Sequence, residues 1–130
     1  MKRWWMVLFS VMMAGVLAAC GSSSTGVSSK ISPQDYVAQY VSVAKSHILL
    51  DVRTPEEFTS GYIEGAMNIP VQVLADNLSL LPKDQPIIVY CRSGNRSAQA
   101  AEILGQNGYD VVFDMGGINS WQSAGYRLTQ

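Results

Sequence analysis

A chain of 130 residues allows one folded domain, since single domains commonly run to ~100–200 residues. Its formal net charge of −1, with charged residues at only 15%, leaves no basic surface for a nucleic-acid backbone, so no nucleic-acid partner is expected.

In chain order, Lys2 and Arg3 form a basic opening, and Trp4 to Ala19 is an uncharged run of sixteen residues. That run is short for a bilayer span, which takes ~20 apolar residues, and it ends in small residues, the pattern of an export signal. Its close, Leu17-Ala18-Ala19-Cys20, resembles the bacterial lipobox. The resemblance implies a signal peptide over 1–19, a diacylglycerol on the Cys20 thiol, and a protein held by lipid in the bacterial cell envelope. Its place would be the periplasmic side, or the outer face of the cell membrane. Gly21 after the cysteine favours the outer membrane if the host is Gram-negative.

After Cys20, the Gly/Ser-rich "GSSSTGVSSK" predicts a flexible tether through residue 30, with the folded domain over 31–130. Cysteines of exported proteins normally pair. With Cys20 lipidated, Cys91 has no partner in the chain and becomes a candidate reactive thiol. The alternative is an inert cysteine packed as a small hydrophobe.

The domain alternates helices and strands. "SPQDYVAQYVSVAK" predicts a helix with Ser32 as N-cap, Pro33 at the first position and Asp35 in the first turn. "HILLDVR" is an apolar run suited to a strand buried on both faces. "VQVLADNLSLL" has helical spacing up to Pro82. "PIIVYC" is a second buried strand, with Pro86 tolerated at its first residue. "SAQAAEILGQNG" predicts a helix closed by Gly108, "DVVFDM" a third strand, and "INSWQSAGY" a short last helix. This alternation predicts an α/β fold with a mostly parallel sheet flanked by helices, and such sheets bind ligands beyond the carboxyl ends of their strands. Asp51 and Arg53, Cys91, and Gly116-Gly117 each follow a strand, so three segments should deliver their residues to one rim.

The loop Cys91-Arg92-Ser93-Gly94-Asn95-Arg96 runs from a strand to Ser97 at a helix start. Amides at a helix N-terminus lack intrahelical partners and carry partial positive charge. With Gly94 giving freedom in φ, several of them could converge on the Cys91 sulfur, and Arg92 and Arg96 would add two charges. Such a cradle favours the thiolate, which is the nucleophile, and would equally stabilise a persulfide built on it.

"LLDVRTPEEFTSGYIEGAMNIP" and "CRSGNRSAQAAEILGQNGYDVVFDMGGINSW" together resemble the two halves of a single-domain rhodanese, a similarity covering roughly residues 31–128. The resemblance implies a rhodanese-like α/β fold with Cys91 as catalytic nucleophile. Arg92, Ser93, Gly94, Asn95 and Arg96 would form the loop around its sulfur, with Ser97 next. Asp51 and Arg53 would support that loop, while Gly116, Gly117 and Trp121 would pack the last helix. Tyr62 stands where many relatives carry His, a position read as structural. Glu57 stands where some thiosulfate-using relatives carry a basic residue, and a carboxylate there would oppose a dianion.

The implied reaction is that of a thiosulfate sulfurtransferase. Cys91 takes a sulfur from a small sulfur-containing anion and passes it to cyanide, a small thiol or a thiol protein. No cofactor or metal is required, and the one histidine, His47, precedes a strand rather than the loop. Two alternatives differ in kind. A Cys-based phosphatase or arsenate reductase would need a loop one residue longer than the six from Cys91 to Arg96. A non-enzymatic binding module would show a slow, ordinary thiol, whereas a persulfide carrier would keep the reactive sulfur and hand it to a protein partner.

Overall fold

The computed structural model describes residues 28–130. The expected signal peptide over 1–19, the expected lipidation at Cys20 and most of the expected tether lie outside those residues. The end of the expected tether, Ser29–Lys30, is instead the first strand, β1. It pairs in parallel with β5 (Val112–Gly117) through Ser29↔Phe113 and Lys30↔Asp114, and the Lys30 ammonium meets the buried Asp114 carboxylate.

The remaining strands are β2 (Ile48–Asp51), β3 (Met67–Asn68) and β4 (Ile87–Cys91). All pairings are parallel, in the order β1-β5-β4-β2-β3, which gives the expected rhodanese-like α/β architecture. Because side chains alternate along a strand, β4 serves two cores. Ile87, Val89 and Cys91 pack with Leu50, Val52 and Leu104 on one face, and Ile88 and Tyr90 with Tyr36, Ile63 and Trp121 on the other. Burial on both faces explains the unbroken apolar run in its sequence.

Helix α4 (Asn95–Gln106) covers the first face with Ala100, Ala101 and Leu104. Past its C-cap Asn107, Gly108 takes a φ of +85°, the left-handed conformation expected of a glycine just past a helix. On the second face, α1 (Pro33–Tyr36) starts as expected, with the Asp35 amide donating to Ser32 Oγ at 3.0 Å. It then widens into a π-helical turn over Val37–Val41, where Ser42 N–H reaches Val37 O and Lys45 N–H reaches Tyr40 O. Tyr36 and Tyr40, four residues apart on one face, both enter an aromatic cluster with His47, Phe113 and Trp121.

Two other elements differ from the sequence reading. The helix expected over 71–81 divides into α3 (Val71–Leu74) and a 3₁₀ turn at Leu78–Leu80. Asn77 breaks it: its side-chain amide takes the Val73 carbonyl at 2.8 Å, and its backbone leaves the helical region. A short helix, α2 (Pro55–Thr59), was not expected within "RTPEEFTSG", although Thr54 and Glu57 form a capping box there. The last helix, α5 (Ile118–Ser123), follows β5 directly.

Candidate active site

The carboxyl ends of β2, β4 and β5 meet as expected: Asp51 lies opposite Tyr90, and Cys91 opposite Gly117. Cys91, a free cysteine, is fully buried, with its side chain on the α4 side of the sheet. Gly94 turns the loop back over it with φ +113°, and the Gly94 amide donates to Cys91 Sγ at 3.0 Å. The sequence suggested several converging amides; among the described residues this one is within bonding distance of the sulfur. Gly94 is also the N-cap of α4, so the helix begins at Asn95, earlier than Ser97. Buried Ser97 donates its hydroxyl to Gly94 O at 3.0 Å and pins the turn.

The two loop arginines have different surroundings. Arg96 forms a bidentate pair with Glu57, Nη1 to Oε2 at 2.7 Å and Nη2 to Oε1 at 2.9 Å. The Arg96 bonds hold the Glu57 carboxyl down to about 2, so both partners are charged at neutral pH. Glu57 is therefore not an unmatched negative charge, as its sequence position suggested, and Arg96 is not an unmatched positive one. Arg92 is exposed and makes no ion pair among the described residues. Ser93 and Asn95 are exposed beside it.

Beneath the loop lies a buried ion pair. Asp51 accepts from Arg53 through the backbone amide at 2.8 Å, Nε at 3.0 Å and Nη2 at 2.6 Å, and Arg53 Nη2 also reaches Gly61 O at 2.7 Å. Burial alone pulls Arg53 down, but the hydrogen bond and charge of Asp51 outweigh it and raise the guanidinium overall. Asn68 Nδ2 bonds the carbonyls of both residues, at 3.0 and 2.9 Å. Arg53 also faces the Tyr90 ring, 5.8 Å from its centroid, and the Tyr90 hydroxyl accepts from Ile63 N–H at 3.1 Å while burial pushes its ionisation upward. Glu57, Asn68 and Tyr90 were not among the expected site residues. For Glu57 the signals were its place in the family resemblance and the capping-box spacing from Thr54; for Asn68 and Tyr90 there was none.

The glycine pair after β5 is explained by contact. A bulge skips Met115, and Gly116 takes φ +81°. A Cβ on Gly117 would lie 2.4 Å from the Arg92 carbonyl oxygen and 2.9 Å from Ser93 Cα. Gly117→Ala is thus expected to push the loop off the strand and cost about 1–3 kcal/mol, as overpacking does. Chemical denaturation measures this, and an unchanged midpoint would show that the loop yields freely. Trp121 is core, its indole N–H donating to Arg127 O at 2.9 Å, and Tyr62 stacks on Phe58 while bridging to Thr129, both structural as expected. His47 sits at the amino end of β2, the opposite end of the sheet from Cys91, bonded to Tyr36 Oη at 2.9 Å and Lys45 O at 2.6 Å.

A cleft of about 310 Å³ opens between α2, the loop and α5, lined by Arg53, Glu57, Ser60, Arg92, Asn119 and Gln122 among others. Of the loop, Arg92 borders it, and so does Glu57 of α2, the partner of Arg96. Among the described residues no group of three His, Cys, Asp or Glu side chains could hold a metal ion, and no helix is long and apolar enough to cross a membrane.

The family described as Rhodanese-like domain matches residues 34–124. The chain belongs to that family. A sulfurtransferase of Allochromatium vinosum is 38% identical to this rhodanese-like domain over 90 residues, covering 68% of this chain and 84% of the relative. Thiosulfate sulfurtransferase GlpE of Shewanella oneidensis is 35% identical over 82 residues, covering 62% of this chain and 81% of GlpE. Among solved structures, a rhodanese-related protein of Thermoplasma volcanium superposes with a TM-score of 0.68 at 37% identity, covering 78% of this chain and 97% of that one.

Proposed function

We propose that this rhodanese-like domain transfers a sulfane sulfur through a persulfide on Cys91. The observation that carries the proposal is the Gly94 amide on Cys91 Sγ, at a strand end closed by the N-terminus of a twelve-residue helix. Its relatives named sulfurtransferase and thiosulfate sulfurtransferase support the same reading. In the first step Cys91 thiolate attacks the outer sulfur of a donor such as thiosulfate. The donor's S–S bond breaks, sulfite leaves with the electron pair, and Cys91 carries S–S⁻. In the second step an acceptor, cyanide or a thiolate, attacks that outer sulfur and Cys91 leaves as thiolate. The Gly94 amide and the Arg96 charge, which interacts with Cys91, lower the cost of charge on the sulfur, and removing one such donor from an active site typically costs ~10²–10³ in rate.

Intact-mass spectrometry after incubation with thiosulfate tests the first step. A gain of about 32 Da, one sulfur on the single nucleophilic thiol, is expected. No gain from thiosulfate or any other sulfane compound would refute the reading.

The lipobox-like Leu17-Ala18-Ala19-Cys20 supports a further part of the proposal, that the domain works in the bacterial cell envelope on a lipid anchor. Expressed in a bacterium from the full-length gene, Cys20→Ser should leave the membrane fraction; equal partitioning of variant and native chains would remove the anchor.

A further inference from the structure

Asp114 is a buried carboxylate that neither sulfur-transfer step uses, yet it stands close behind the amide that bonds the sulfur. On β5 it lies opposite Val89. Paired residues of parallel strands share a face, so its side chain is on the side of the sheet that carries Cys91. At the bulge just past it, the Gly116 amide donates to Asp114 Oδ1 at 2.9 Å. That bond holds Gly116 in its left-handed turn, and the turn packs on Gly94, where a Cβ would lie 3.9 Å from Gly116 Cα. Contacts therefore run from the Asp114 carboxylate through Gly116 to Gly94, and from the Gly94 amide to Cys91 Sγ.

The carboxylate is itself held from the outer edge of the sheet. The Lys30 ammonium meets it, and the Ile31 amide donates to the Asp114 carbonyl at 3.1 Å, so the segment that opens the fold grips this residue by side chain and backbone. Resting on the persulfide reading above, we infer that Asp114 is a positioning residue for sulfur transfer and that β1 is part of the frame of the site. The Asp114 carboxylate keeps the Gly116 turn against Gly94. The Gly94 amide thereby stays on Cys91 Sγ, where it favours the thiolate that attacks in the first step and departs in the second. The position calls for an acceptor, because its partner is an amide N–H, and the side-chain oxygen of asparagine also accepts. Alanine would leave the Gly116 amide without that acceptor and Gly94 without its backing.

The test measures sulfur loading of the full chain from thiosulfate against pH, followed by intact mass. A thiolate that loses a donor forms at higher pH. In Asp114→Ala the pH of half-maximal loading should therefore rise by about one unit, and the rate below it should fall about tenfold, the scale of one charge-assisted hydrogen bond. Asp114→Asn should stay within about twofold of the native rate, since it keeps the acceptor. Lys30 is mostly exposed, so Lys30→Met should fold even where Asp114→Ala does not, and it should move the profile in the same direction by less. His47→Ala, at the far end of the sheet, is the control for destabilisation alone: it loses two hydrogen bonds and should leave the profile in place. A native profile in a folded Asp114→Ala overturns the inference, as does a native profile in Lys30→Met where Asp114→Ala fails to fold. Equal losses in Asp114→Ala and Asp114→Asn overturn it too, because charge rather than position would then be at work. A native chain that never gains sulfur defeats the persulfide reading and this inference with it, whereas normal loading with an unmoved profile in the variants overturns the inference alone.

Discussion

Cys91→Ser should abolish sulfur transfer from thiosulfate to cyanide while the domain remains folded. An alcohol at this position is not ionised near neutrality, so it can neither attack a sulfane sulfur nor leave as a stable anion in the second step. Nucleophile removal in covalent enzymes lowers turnover by more than about 10⁴-fold, which is the scale expected here. The fold should survive because the change keeps the shape of a fully buried side chain and because the Gly94 amide, now bonded to Sγ, can donate to the serine oxygen instead. A buried hydroxyl left without an acceptor costs about 1–3 kcal/mol, so Cys91→Ala, which carries no polar atom, serves as a second variant. Retained turnover in a folded Ser or Ala variant would remove Cys91 from the chemistry. A Cys-based phosphatase would lose a phosphatase activity in the same variants, and assaying both reactions on the native chain separates the two.

Much of the architecture follows from the alternation of apolar runs and helical stretches. β2 and β4 are continuous apolar runs because both faces are covered, and that pattern distinguishes them from half-exposed strands. The convergence of Asp51, Cys91 and Gly117 at one rim follows from parallel pairing alone. What stayed illegible is where short polar side chains redirect the backbone or each other. Asn77 stops a helix whose apolar spacing continues past it, because a side-chain bond to the Val73 carbonyl leaves no trace in periodicity. β1 and β3, two residues each, are too short to show an alternation.

The charges were harder still. Arg92 and Arg96 look equivalent in "CRSGNR", yet the first helical turn points Arg96 at Glu57, thirty-nine residues away in the chain, and leaves Arg92 open. A sequence shows the number of arginines in a loop but not their partners.

Asp51 should be the residue whose loss most harms stability. It is fully buried, and the buried Arg53 guanidinium depends on it for three of its contacts, retaining the Gly61 carbonyl without it. Breaking a buried ion pair from one side leaves an uncompensated charge in the interior, which typically costs about 3–5 kcal/mol. For a domain of this size that should lower the melting temperature of Asp51→Ala by about 12 °C or more. The backbone amide of Arg53 and the turn after β2 lose their acceptor as well. Loop order should suffer too, since Arg53 packs on the ring of Tyr90, the residue before Cys91.

Destabilisation alone could reflect only the cavity left by the carboxylate, so the double variant Asp51→Ala with Arg53→Met separates the causes. If the orphaned charge dominates, removing it as well should recover part of the loss, because a buried pair replaced by apolar side chains is often nearly neutral. If packing dominates, the two losses should add. A double variant less stable than Asp51→Ala would show that Arg53 holds the rim through Gly61 and Tyr90 rather than through its charge on Asp51.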